Sequence, residues 1–119
     1  MVETNRVADT INNDFSIKKN VALNKYITMN SDNNVMYLFN HNSNQIYRLD
    51  ERPRIGMIEE LSKRKSPVKM RDLMLSWLKN ISATQSFVNN HETGGIIQNF
   101  LDITTDFVNQ DIVRYENDE

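Results

Sequence analysis

The side chains equipped for catalysis are few, and their spacing does not serve it. The chain has two histidines, His41 and His91. Neither stands in an H-x3-H or H-E-x-x-H arrangement, the spacings that set ligands on one helix face around a metal. Cysteine is absent, which removes thiolate nucleophiles, disulfides and cysteine-based zinc sites together. Gly94-Gly95 is followed by no Lys-Ser/Thr pair, so it is not a phosphate loop, and no G-x-S-x-G elbow occurs. Asp102 and Asp106 lie one helical turn apart and could pair as acid and base, but they read as solvated carboxylates. The expectation is a protein that is not an enzyme, with no catalytic residues, no bound metal and no cofactor.

The chain that must position whatever function remains has 119 residues, 39% hydrophobic and 25% charged. That is one domain with one core. No apolar run is long enough for a membrane-spanning helix, and the polar start MVETNRVADTINN lacks the apolar centre of a secretory signal. A cytoplasmic protein with no membrane partner is expected. The sequon Asn80-Ile81-Ser82 then reads as a chance match. Met29, Met36, Met57, Met70 and Met74 read as core filling rather than an adaptable binding surface, and Trp77 as a core residue.

Charge is distributed unevenly. Fourteen Lys and Arg against sixteen Asp and Glu give a net charge of −2, which argues against general nucleic-acid binding. Residues 1–47 are balanced. Residues 48–71 hold eight basic and four acidic side chains, whereas residues 72–119 hold two basic and eight acidic. The middle of the chain therefore offers a basic patch to an acidic partner, peptide or nucleic acid, unless these charges only solvate helix faces.

Residues 1–22 read as an N-terminal arm with a diluted helical pattern. From Val21 to Asp50 the hydrophobic period is two. Leu23, Lys25, Ile27 and Met29 form a first run, Val35-Met36-Tyr37-Leu38-Phe39 a second and Gln45-Ile46-Tyr47-Arg48-Leu49 a third. Turns at Asn30–Asn34 and His41–Asn44 separate them, which predicts an antiparallel three-stranded meander. Eleven of the seventeen asparagines fall in the first 44 residues, consistent with turns there.

After Glu51 the period becomes helical. Pro53 opens a segment carrying Ile55, Ile58 and Leu61. Ser66-Pro67 caps a second, with Val68, Leu73, Leu75, Trp77, Leu78 and Ile81. A third helix is expected from Ser82, carrying Phe87 and Val88 and stopping at Gly94-Gly95. Ile96 and Ile97 would then begin a strand or a buried turn. Residues 98–119 fit either a helix (Phe100, Ile103, Phe107, Val108) or a β-ribbon bending at Asp102–Asp106. The fold class is thus α+β: a three-stranded antiparallel meander followed by a three-helix winged-helix-like bundle over residues 23–97, with residues 98–119 as a C-terminal extension.

The run from Arg54 to Leu61, the run from Ser66 to Leu73, and the close from Phe87-Val88 to Gly94-Gly95-Ile96-Ile97 resemble a winged helix-turn-helix. With Val35–Asn40 and Gln45–Asp50 in front, the pattern is similar to the PqqD-like peptide-recognition elements, which accompany enzymes that modify ribosomally made peptides. The resemblance spans roughly Leu23–Ile97 and is one of pattern, without catalytic residues. It implies a non-catalytic adaptor that captures a precursor's leader peptide as a strand added to the third strand, in the cleft beside the third helix, and presents it to the modifying enzyme. Carried over, the strand edge is Gln45, Ile46, Tyr47, Arg48 and Leu49, and the helix side is Ser82, Gln85, Val88 and Asn89. Arg52-Pro53-Arg54, the long arm and residues 98–119 depart from the family pattern, and a homodimer is left open. Two other readings stand beside this one: a winged-helix DNA regulator, and a structural or assembly protein, of a virus for example. The segment Ser82–Glu92 contains no Lys or Arg, poor equipment for a DNA groove.

Overall fold

The computed structural model describes residues 19–81 and 93–117. They form an α+β fold with two small antiparallel sheets. Strands β1 (Lys19–Leu23), β2 (Ile27–Asp32), β3 (Val35–Asn40) and β4 (Gln45–Leu49) come first. Helix α1 (Arg52–Ser62), the short strand β5 (Val68–Lys69) and helix α2 (Met70–Ile81) follow, then helix α3 (Thr93–Asn109) and strand β6 (Val113–Asn117). One sheet has the order β2-β3-β4 and the other β5-β1-β6.

The alternation expected of β3 is the physical basis of the first sheet. Met36, Leu38 and Asn40 are buried, and Val35, Tyr37 and Phe39 alternate with them on the outer face. The β2–β3 turn is tighter than the sequence suggests. Asn30 and Ser31 pair with Tyr37 and Met36, so only Asn33-Asn34 make the turn. One left-handed residue suffices, and Asn33 supplies it at φ 57°. Asn44 does the same at φ 60° between β3 and β4.

The second sheet was not foreseen. The run from Leu23 to Met29 breaks at Asn24–Tyr26, and β1 leaves to pair with β6 (Lys19↔Asn117 through Leu23↔Val113) and with β5 (Val21↔Val68). These partners lie too far along the chain for a local pattern to reveal.

Helices α1, α2 and α3 close one core with both sheets. Ile55, Met57, Ile58 and Leu61 point inward from α1, and Leu73, Met74, Trp77 and Ile81 from α2. A Cβ on Gly56 would stand 2.8 Å from Asn80 Oδ1 and 3.2 Å from Ile81 Cγ2, so the glycine lets α1 approach α2 closely. Four of the five methionines singled out above are buried, and Met29 packs against the core.

Gly94-Gly95 lie in the first turn of α3, and the helix expected before them falls on residues 82–92, outside the described residues. Ile96, Ile97, Phe100, Ile103 and Phe107 form one buried stripe at helical spacing. Its burial outweighs a glycine penalty of about 1 kcal/mol each, least costly at a helix end. Residues 98–109 are therefore helix, and the ribbon reading survives only as β6. No helix among the described residues is long and apolar enough to cross a membrane.

The α3–β6 turn ties the two sheets together. Asp111 sits at φ 61°. Its carbonyl accepts from Asn24 Nδ2 at 2.9 Å and from Asn40 Nδ2 at 3.3 Å, and its carboxylate accepts from the Tyr26 hydroxyl at 2.8 Å. Asn24 and Asn40 are buried, so these bonds satisfy polar groups that water does not reach.

Candidate functional site

Strand β4 lies at the edge of its sheet. Its inner side pairs with β3 (Met36↔Leu49 through Asn40↔Gln45), and among the described residues no strand pairs with its outer side. Backbone N–H and C=O groups along such an edge are open to another extended chain.

The five side chains divide by face. Leu49 is buried and Tyr47 packs against the core from a half-buried position. The Tyr47 hydroxyl reaches Gln45 Oε1 and lies 3.3 Å from the Gln110 carbonyl oxygen. Ile46 is 68% exposed on the outer face, where it pairs with Phe39, and Arg48 pairs with Tyr37, itself 40% exposed. His41, in the β3–β4 turn, stacks edge-on against Phe39 at 4.3 Å, with Nε2 3.0 Å from Thr28 Oγ1. An apolar and aromatic outer face therefore borders the open edge. Tyr37 and Phe39 were not among the site residues expected from the sequence; the period of two, which sets them on the face opposite Met36 and Leu38, is the signal that places them here. The predicted helix-side residues Ser82, Gln85, Val88 and Asn89, and His91, lie outside the described residues.

No family model, curated protein or solved structure matches this chain.

The basic stretch expected over residues 48–71 is largely neutralised. Arg48 bonds Asp50 at 3.2 Å, Arg54 bonds Asp106 at 2.7 Å, Lys63 bonds Glu60 at 2.9 Å, and Arg52 pairs with Glu59. Asp106 is thus held by Arg54, and Asp102 accepts from Gln98 Nε2 at 2.8 Å; the two carboxylates serve different partners. Among the described residues no three His, Asp or Glu side chains come together as a metal site.

Glu60 is the buried member of this set. Burial alone would raise its pKa, but hydrogen bonds from Asn80 and Lys63 and the charges of Lys63 and Arg64 hold it below the ordinary carboxylate value. Asn80, the residue of the chance sequon, donates to both Glu59 and Glu60 at 3.0 Å. A lowered folded-state pKa stabilises the protein above the unfolded value of about 4.3, and that contribution is lost as pH falls through the folded value. Urea midpoints measured from pH 7 to pH 3 should fall less steeply for Glu60→Gln than for the native chain. Equal slopes would show that the network does not hold the carboxylate charged.

Proposed function

We propose that this chain is a non-catalytic peptide-binding adaptor of the PqqD-like kind. It captures the leader segment of a ribosomally made precursor by strand addition along β4 and presents it to a modifying enzyme in the cytoplasm. The observation that carries the reading is the open outer edge of β4 beside exposed Ile46. The peptide's main chain bonds to the edge of β4, and its alternate side chains meet Ile46 and the half-buried Tyr47. Arg48 lies at the edge with only an exposed pairing to Asp50, which is worth little, so it is available to an acidic leader side chain.

Fluorescence anisotropy of labelled acidic leader-type peptides, with an unlabelled DNA duplex as competitor, tests this. Saturable peptide binding that DNA does not displace is expected. Arg48→Glu should weaken it about tenfold, the scale of one charge-assisted contact. Unchanged affinity of that variant at low salt would remove β4 as the edge. Displacement by DNA would favour the winged-helix regulator.

A further inference from the structure

A second concave site lies away from β4, where the β1–β2 turn meets the connection from α1 to β5. The cleft measures about 340 Å³ and is lined by four cations, Lys25, Arg64, Lys65 and Arg114, with no acidic side chain in its lining. The geometry points to a binding site for the phosphate group of a small ligand. This inference does not depend on peptide capture at β4.

The four cations come from separate places in the chain. Lys25 stands in the β1–β2 turn, and Arg64 and Lys65 follow α1. Arg114 lies on β6 opposite Ala22 of β1. Only Arg64 and Lys65 belong to the basic stretch of the sequence, and Arg114 comes from the acidic third of the chain.

The two arginines are held in place. Arg64 Nη1 donates to the Glu60 carbonyl at 2.6 Å and Nη2 to Ser76 Oγ at 2.7 Å. Arg114 Nη1 donates to the Leu23 carbonyl at 3.1 Å and Nε to Glu116 at 2.7 Å. Each guanidinium carries five N–H donors, so both retain donors beyond these bonds. Lys25 and Lys65 are exposed and have no side-chain partner among the described residues. Arg64 and Arg114 are each ion-paired from outside the cleft lining, with Glu60 at 3.7 Å and Glu116 at 2.7 Å. The charges of Lys25 and Lys65 are therefore the ones left to be answered, and a concave site focuses their field on an anion.

The chemistry favours phosphate over carboxylate. A phosphomonoester is a dianion with three terminal acceptor oxygens, which two ammonium groups and two guanidinium forks match better than they match one carboxylate. Ser66 adds a hydroxyl, and Val21, Leu23, Met29 and Leu61 supply an apolar wall for the rest of the ligand. The volume is at the small-molecule scale of about 300–1,000 Å³. In the adjoining groove over Lys69 and Arg71, Asp72 stands in the lining with a carboxylate oxygen 3.6 Å from Arg71 Nε. The acid-free lining is therefore confined to the cleft rather than extended along a track suited to nucleic acid.

The test is a titration of the full chain with sodium pyrophosphate, followed by backbone amide NMR at an ionic strength fixed with sodium chloride. Saturable shifts centred on Lys25, Lys65 and Arg114 are expected. Lys25→Ala/Lys65→Ala should raise the dissociation constant at least about tenfold while the spectrum stays dispersed, and Lys69→Ala should leave it unchanged. The inference is overturned if shifts do not saturate, if chloride alone reproduces them, or if the double variant binds equally well. Tighter binding of single-stranded DNA that weakens on Lys69→Ala would also overturn it and assign the surface to nucleic acid.

Discussion

Trp77→Ala should cost about 3–5 kcal/mol of stability, the range for deleting a buried tryptophan. The indole is fully buried, its Nε1 donates to the Pro53 carbonyl at 2.8 Å, and its ring lies 5.4 Å from that of Phe100. One side chain therefore joins α1, α2 and α3. A small domain is stable by only about 5–15 kcal/mol, so the loss is a large share of the total and should appear as a much lower urea midpoint. Trp77→Phe keeps an aromatic ring but leaves the Pro53 carbonyl without its indole donor, which should cost about 1–3 kcal/mol. Trp77 is the sole tryptophan, so unfolding is best followed by far-UV circular dichroism, which survives both substitutions. A midpoint for Trp77→Ala close to that of the native chain would mean that the three helices do not share one core.

The second large effect is expected at Asn40. Its Oδ1 accepts from the backbone N–H groups of Asn42 at 2.8 Å and Ser43 at 3.0 Å, and its Nδ2 donates to the Asp111 carbonyl. Asn40→Ala removes one buried side chain's bonds and should cost about 1–3 kcal/mol. Asn40→Asp keeps both acceptor contacts but sets a charged carboxylate, fully buried, against a carbonyl oxygen. Burying a charge without a counter-charge costs several kcal/mol, so at pH 7 the aspartate variant should be the less stable of the two. Protonation relieves the penalty and restores a donor. The stability of Asn40→Asp should therefore rise as pH falls below neutrality, against the Glu60-driven fall in the native chain. Urea midpoints at pH 7 and pH 5 decide it: an aspartate variant that is no more stable at the lower pH would show that Asn40 is not sealed from water.

How much of this was legible in the sequence depends on how local each interaction is. The runs at Val35–Phe39 and Gln45–Leu49 and the inward stripes of α1 and α2 follow from periods of two and 3.6 within short windows. The sheet β5-β1-β6 was not legible, because β1 answers to a strand at the far end of the described chain and to one of only two residues. Gly94-Gly95 read locally as a stop signal; that they also open a helix depends on the buried stripe that runs downstream to Phe107. The candidate edge was readable as residues, since Gln45–Leu49 form the strand, but its position outside β3 depends on sheet order. The basic stretch was visible as a sum of charges. That Glu59, Glu60 and Asp106 neutralise much of it, while Lys25 and Arg114 join Arg64 and Lys65, is a product of folding alone.

The pairing of β1 with β6 also bears on how the protein is made. Arg114 on β6 bonds to Leu23 across 91 residues of sequence, and the Asp111 turn that secures both sheets is synthesised just before it. During translation, β2, β3 and β4 emerge together and can pair at once, whereas β1 must wait for β6 to leave the ribosome. Contacts of such long range slow folding, and until they form, one side of β1 remains an unsatisfied edge, open to neighbouring chains. Strand β6 thus acts as a latch: until Val113–Asn117 pair with β1, the second sheet consists only of the β1–β5 pairing.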